Sequence, residues 1–406
     1  MRRGGLALAL TIALTAPALA REVPMQLRRA HVVPLTFAEM KGWRRDDHRA
    51  SYAAFVKSCG AILNSSKAQR ARRAMLGGLY VACQQAVKIA KADDAQARQF
   101  FEDNFRPMRI AKAGDVDGFF TGYYETEVEG SLVKTAEYNI PFYGIPSKLK
   151  GRSTVFGQYD RTQIEAGAIA GKGLALCWVK DPVDVLFAQI QGSTRVKLAD
   201  GQLLRLNYIA SNGKPYYPVG KYLIDQGIIA RQDMSMDRIR DWMEANPVQG
   251  KALRDKNRSY VFFEKTPLLP TTQILGAQGV PLTPLRSAAV DKSLHIYGTP
   301  IWINANLPLL SEEPSTPFRH LVIAQDTGSA IVGPARADIF FGAGNLLGHV
   351  AGRIKDHGEF VMLVPKSVAL RGDSPAAEVP LPQPRPAAIA TRTAEADDAA
   401  DGAGAR

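Results

Sequence analysis

The sequence predicts a mainly β protein with a helical section near its N-terminal end. Two textures carry that prediction. Residues 48 to 106 set apolar side chains at helical spacing, as in Tyr52, Phe55, Val56 and Cys59, then Leu76, Leu79, Tyr80 and Cys83. From Phe119 onward, short apolar and aromatic runs are broken by Gly, Pro and Asn about every ten residues, the pattern of an all-β fold.

Taken in order, the first twenty residues read as a secretory signal. Arg2 and Arg3 form a basic start, Leu6 to Leu14 an apolar stretch, and Ala18-Leu19-Ala20 a small-x-small cleavage site. That apolar run is far shorter than the roughly 20 residues of a membrane span, and no later segment is longer. An exported chain without a membrane span is therefore expected. Within the β region one helical interruption stands out at Tyr217 to Trp242, where Met236, Ile239, Arg240 and Met243 follow Ser235 as N-cap. A second β section runs from about Thr283 to Val364. From roughly Ser367 the chain is Pro, Ala and charge without period, a disordered tail by composition.

The 406 residues, 46% of them hydrophobic, suffice for two domains plus tails. A formal charge of +12 points to acidic partners. Export, and the lack of a compact basic run with interleaved aromatics, argue against nucleic acid. Anionic cell-wall polymer fits better, although a solvated basic surface without a ligand is equally ordinary. Three cysteines occur, with no C-x-x-C. Cys59 and Cys83 lie on consecutive helical patterns and, in an oxidising compartment, are positioned to staple a helical hairpin; two buried thiols are the alternative. Cys177, in the apolar run 174–179, reads as a core residue.

The six histidines are scattered, with no ligand spacing, so no metal site is expected. There is no G-x-S-x-G elbow and no phosphate-binding glycine loop, and no cofactor is implied. What remains is carboxylates, Gly-rich turns, aromatics and amides, the inventory of a groove for sugars, which present flat apolar faces and many hydroxyls. Three segments offer it: Phe119-Phe-Thr-Gly-Tyr-Tyr-Glu125, Gln189-Ile-Gln-Gly-Ser193 and Asn212-Gly-Lys-Pro-Tyr-Tyr217. A fourth is sharper. Ala324-Gln-Asp-Thr-Gly328 and Arg336-Ala-Asp-Ile-Phe-Phe-Gly342 place Asp326 and Asp338 on two extended runs separated by a Gly-bearing turn. Two carboxylates approaching one cleft would raise one pKa toward neutrality, as a general acid requires. Turn capping by both Asp side chains is the competing reading.

Together these motifs make the chain resemble the lytic murein transglycosylase A family, including its C-terminal three-aspartate domain. The matching stretches are 120–125, Gln191-Gly-Ser193, Asn212-Gly213 with Tyr216, Met234-Ser-Met236 with Trp242, Asn257 to Phe263, Val280 to Ser287, Ala289-Val-Asp291, Gln325-Asp-Thr-Gly328 and Arg336 to Gly342. They occur in order over roughly residues 118 to 365. The resemblance implies a double-psi β-barrel. Residues 21–126 and 264–366 would supply the helical section, the barrel and the three-aspartate region, and 127–263 an inserted smaller β domain forming the other wall of a glycan groove. The tail would be 367–406.

The three aspartates would be Asp291, Asp326 and Asp338, the last of them catalytic and the other two supporting. The implied reaction cleaves the β-1,4 bond from N-acetylmuramic acid to N-acetylglucosamine and leaves a 1,6-anhydro muramoyl end. One carboxylate then suffices: protonated, it serves the leaving oxygen, and ionised, it takes the proton of the muramoyl C6 hydroxyl, a nucleophile already tethered. Burial and a nearby Asp326 are the expected causes of a raised Asp338 pKa. Thr121, Tyr123, Gln191, Ser193, Tyr216 and Lys221 are the expected sugar-binding residues. The partners implied are peptidoglycan glycan strands and complexes of cell-wall synthesis or hydrolysis.

Two departures from the family pattern matter. No lipobox cysteine follows Ala20, so a periplasmic protein, at most peripherally associated with the outer membrane, is expected. Thr194 stands where relatives often carry a second Gly. A two-carboxylate hydrolase, with Asp326 as base or nucleophile, and a non-catalytic wall-binding protein remain the alternatives.

Overall fold

The computed structural model describes residues 30–368 apart from 90, 113, 116 and 267–273. The signal segment, and the tail beyond Val368, lie outside the described residues. Val368 itself is buried against the barrel core.

The chain opens with β1 (Ala30–Pro34), then four helices: α1 (His48–Leu63), α2 (Lys67–Arg72), α3 (Ala74–Ala86) and α4 (Asp94–Asn104). Asp47 and Ser66 cap α1 and α2, and Asp93 caps α4. Strands β2 (Phe105–Lys112) and β3 (Gly118–Glu129) follow. Next come β4 (Ile140–Tyr143), α5 (Arg161–Glu165), β5 (Ala175–Val179), α6 (Pro182–Gln191), β6 (Ser193–Lys197) and β7 (Leu203–Ser211). Then α7 (Val219–Asp225), α8 (Met236–Ala245), α9 (Pro247–Lys256) and β8 (Val261–Thr266) complete the middle of the chain. The last part holds β9 (Ser287–Val290), β10 (Pro300–Leu307), β11 (Thr316–Asp326), β12 (Arg336–Ala343), α10 (Asn345–Ala351) and β13 (Lys355–Pro365).

Six strands close on themselves in the order β13-β10-β11-β9-β12-β3, with β3 returning to β13. Closure leaves no free edge among these six. Two-residue alternation then sorts the side chains. Ile301, Ile303, Val322, Ala324, Phe360 and Met362 point into the barrel, while Trp302, Leu321, Ile323, Val361 and Leu363 point outward against α1, α3 and α4. Asp46 pins the helical layer to the barrel: its fully buried carboxylate accepts from Arg286 Nη2 (2.9 Å) and the Leu321 N–H (2.8 Å), and lies 2.7 Å from His320 Nδ1. Cys59 and Cys83 form a disulfide joining α1 to α3, with Cα atoms 5.2 Å apart. Cys177 is a buried free thiol.

The middle of the chain forms a second body. The far half of β3 pairs in parallel with β6, which continues through β7 to β8. Helix α6 packs on these strands and on the antiparallel β4–β5 pair, and α7 to α9 pack against α6 and one another. That is more helix than the one interruption expected near 217–242, because short helices burying one face read locally like strands. Ser235 does cap α8, accepting from the Arg238 N–H at 3.2 Å. Where the two bodies meet, Glu125 is completely buried between Arg195 Nε (2.7 Å) and Arg205 Nε (2.8 Å).

Candidate active site

Strand β12 sets the site by its pleat. Ala337, Ile339 and Phe341 fill the barrel interior, so Arg336, Asp338 and Phe340 must face the other way. The parallel register with β3 puts Thr121 directly beside Asp338. Thr121 Oγ1 donates to Asp338 Oδ1 at 2.5 Å and accepts from Arg336 Nη2 at 2.7 Å. Arg336 is steadied by Nη1 on the Ala337 carbonyl at 2.6 Å and by the Phe119 ring beneath its guanidinium. Next to Thr121, Gly122 lets α10 settle onto β3: an added Cβ would lie 2.9 Å from Ala351 Cα.

Asp338 opens into a groove of about 290 Å³. The barrel side contributes Thr121, the turn Gly328–Ile331 and the end of α10. The opposing side contributes Arg161, Gln189 to Gln191, Tyr216, Asn257 and Ser259. Among the described residues lining it, Asp338 is the sole carboxylate. Burial pushes the Asp338 pKa up; the Arg336 charge and the Thr121 hydrogen bond pull it part of the way back, leaving it above the ordinary carboxylate value. Burial also lifts Tyr216 to about 12, so its phenol is a neutral hydrogen-bonding group.

The other aspartates hold the groove's turn. Asp326 accepts from the Ala277 N–H (2.9 Å), its neighbour Thr327 N–H (2.8 Å) and Tyr123 OH (2.8 Å). Asp291 accepts from Ser293 Oγ (2.6 Å) and from the Gly333 N–H (2.8 Å). The turn between β11 and β12 is thus anchored at both ends by carboxylates. Burial works to raise Asp291, but these hydrogen bonds outweigh it and hold the group below its usual range.

Burial, more than Asp326, raises the pKa of Asp338. Both pair across Ala289 of β9, so they sit two strands apart, a Cα separation of about 10 Å. Asp326 is raised by its own burial, with the Asp338 charge a lesser contributor.

The expected sugar-binding residues divide. Thr121, Gln191 and Tyr216 line the groove, Thr121 with its hydroxyl committed to Asp338 and Arg336, and Gln191 with Oε1 accepting from the Tyr124 N–H at 3.0 Å. Tyr123 also lines the groove, but it is largely buried beside Phe340 and its hydroxyl holds Asp326. Ser193 is buried in β6 away from the groove lining. Lys221 is not brought to the groove either: its ammonium, on the exposed side of α7, pairs with Asp225 one turn on.

Two arginines of the site went unassigned from sequence. Arg336 shares a strand face with Asp338 two residues on, a signal the pleat carries. Arg161 gave none, because its role rests on residues remote in the chain. It is 1% exposed and donates to the Asn257 and Ser259 carbonyls (2.8 and 2.7 Å) and to Gln189 Oε1 (2.7 Å), fixing the groove's opposing wall. Among the described residues no cluster of His, Cys, Asp and Glu suits a metal ion, and no helix is long and apolar enough to cross a membrane.

A closed barrel with a second body inserted on one of its strands, and a lone raised carboxylate between them, defines the class. Residues 119–264 match the family model described as the MltA specific insert domain, and 286–364 the 3D domain. The membrane-bound lytic murein transglycosylase A of Escherichia coli K12 is 32% identical over 314 residues, 76% of this chain and 81% of that protein. A crystal structure of E. coli MltA with bound chitohexaose superposes with a TM-score of 0.60 at 29% identity, covering 77% of this chain and 89% of that one. The Vibrio cholerae protein of the same name is 34% identical over 252 residues, 60% of this chain and 65% of that protein's length. A membrane-bound lytic murein transglycosylase from Agrobacterium tumefaciens superposes with a TM-score of 0.71 at 32% identity, covering 82% of this chain and 97% of that one. The chain belongs to the membrane-bound lytic murein transglycosylase A family.

Proposed function

We propose that the protein is a peptidoglycan lytic transglycosylase that cleaves the β-1,4 MurNAc-GlcNAc bond without water and leaves 1,6-anhydromuramoyl ends. The observation that carries this reading is the groove's single carboxylate with its raised pKa. Protonated Asp338 donates to the glycosidic oxygen as the bond to C1 breaks. The resulting carboxylate takes the proton of the muramoyl C6 hydroxyl as that oxygen closes on C1. The proton balance is restored in one turnover, so no second carboxylate is needed, whereas a hydrolase needs one to activate water or to attack. Asp326, two strands away and outside the groove lining, is poorly placed for either task.

Thr121 and Arg336 position Asp338 and stabilise its ionised form; Gln191 and Tyr216 contact sugar hydroxyls and acetamido groups. Asp291 and Asp326 support the turn that forms the groove's edge. The barrel is of the double-psi type, the insert spans about 127–263, and the enzyme works in the periplasm after signal cleavage. There it meets glycan strands and the complexes of cell-wall synthesis or hydrolysis, with peripheral attachment to the outer membrane. The relatives' names and the chitohexaose bound by the E. coli protein support this assignment. Digestion of purified sacculi with mass identification of the products tests it: 1,6-anhydro muropeptides are expected, and reducing muramic ends would refute it.

A further inference from the structure

A larger cavity, of about 650 Å³, lies behind the groove's opposing wall. Successive residues divide between the two spaces. Ser259 and Val261 face the groove and Tyr260 between them faces the cavity; on α6, Gln189 to Gln191 face the groove and Pro182 and Val185 the cavity. One layer of the inserted body therefore separates them. The cavity's walls are apolar and aromatic, with Ile140, Tyr143, Leu174, Trp178 and Tyr260.

Into this apolar space comes one buried cation. Arg254 is 7% exposed, and its Nε makes no hydrogen bond among the described residues; Glu165 Oε2 stands 3.8 Å from it. A buried donor of this kind is destabilising unless a partner satisfies it. Lys134 and Lys251 also line the cavity; Lys251 pairs with Asp255 at 2.7 Å and the lining carboxylate Glu165 is held by Arg161 at 3.0 Å, so Arg254 and Lys134 carry the excess positive charge there. Volume, apolar walls and a few convergent polar groups are the features of a small-ligand site. The charge selects an anion, and the guanidinium suits a carboxylate.

We propose that this cavity binds the carboxylate end of a peptidoglycan peptide stem, a short acidic peptide with small apolar side chains. The choice of occupant rests on the glycan-cleaving reading of the groove. Because a protein layer intervenes, the stem belongs to a neighbouring strand or a more distant muramoyl residue, not to the sugar at Asp338. The cavity is thus a second point of attachment to the wall.

Calorimetric titration of the full chain tests this, using the free stem tetrapeptide, its C-terminal amide and chitohexaose. The tetrapeptide should bind, and bind undiminished when chitohexaose is present. The amide should bind roughly tenfold more weakly or worse, since a charge-assisted hydrogen bond is lost. Arg254→Gln should weaken the acid to the same extent. In case that variant fails to fold, Ala170→Trp fills the cavity from an exposed position and should abolish tetrapeptide binding at an unchanged melting temperature. No tetrapeptide binding, equal binding of acid and amide, or displacement by chitohexaose would each overturn the proposal. If the tetrapeptide binds as expected to a chain that releases no muropeptides from sacculi, the cavity assignment stands and the reading of the groove fails.

Discussion

Thr121→Val removes one hydroxyl at nearly constant shape and isolates the control of Asp338. The wild-type hydroxyl donates to Asp338 Oδ1 at 2.5 Å and so favours the ionised carboxylate. A hydrogen bond to a charged group contributes about 1.5–3 kcal/mol, and about 1.4 kcal/mol corresponds to one pH unit. Burial already holds the Asp338 pKa above its usual range, and loss of the hydroxyl raises it further. The general acid must be protonated in the free enzyme, so activity falls as pH rises through that pKa. The alkaline limb of kcat/KM against pH should therefore move upward by roughly one to two pH units. The assay is release of soluble muropeptides from sacculi over a pH series, with wild type and variant matched for folding by circular dichroism. A limb that stays in place or moves downward refutes the reasoning. A downward move would mean that Arg336, freed from Thr121, pairs with Asp338 directly.

Asp338→Asn should abolish turnover while chitohexaose binding survives, and it should also stabilise the fold at neutral pH. A carboxyl whose folded pKa is raised binds its proton more tightly when folded; its destabilising effect is absent below the unfolded value of 3.8 and grows as pH rises through the folded value. Thermal melts of the variant and wild type should accordingly converge toward pH 3 and separate by pH 7. Reduction of Cys59–Cys83 opens a loop of 24-residue separation, and the chain-entropy estimate is a loss of about 3.5 kcal/mol, read from urea unfolding with and without a reductant. Glu125→Ala strands Arg195 and Arg205 at the junction of the two bodies. Breaking a buried pair costs about 3–5 kcal/mol, and the same unfolding experiment measures it.

How much of this was legible in the sequence depended on the range of the signal. Asp338 was legible as one of a pair with Asp326, because the extended runs and turn glycines around them are local; the family resemblance singled it out from that pair. The helices over 48–104 were legible through their 3.6-residue period, and Ser235 through its position before Met236. Lys221 was misplaced because a helix period says which residues share a face but not which face meets the groove. Asp326 was placed too near Asp338 for a related reason: distance along the chain is short, but strand β9 lies between them in space. Arg161 and Glu125 could not be read at all, since full burial of a charge is decided by partners such as Asn257 and Arg205 that only the fold brings near.

Strand β3 belongs to both bodies, pairing with β12 over its first half and with β6 over its second. The inserted body is therefore spliced into the barrel's own wall and not hung from it by a linker. Cutting out residues 127–263 would sever β3 within one strand: residues 127–129 would leave with β6, while 118–126 would stay in the barrel wall. The two ladders meet end to end at residues 125 and 126 of β3, so that strand is the backbone joint between the two groove walls. A bend of β3 at that joint would change the width at Asp338 without breaking a backbone bond of either ladder.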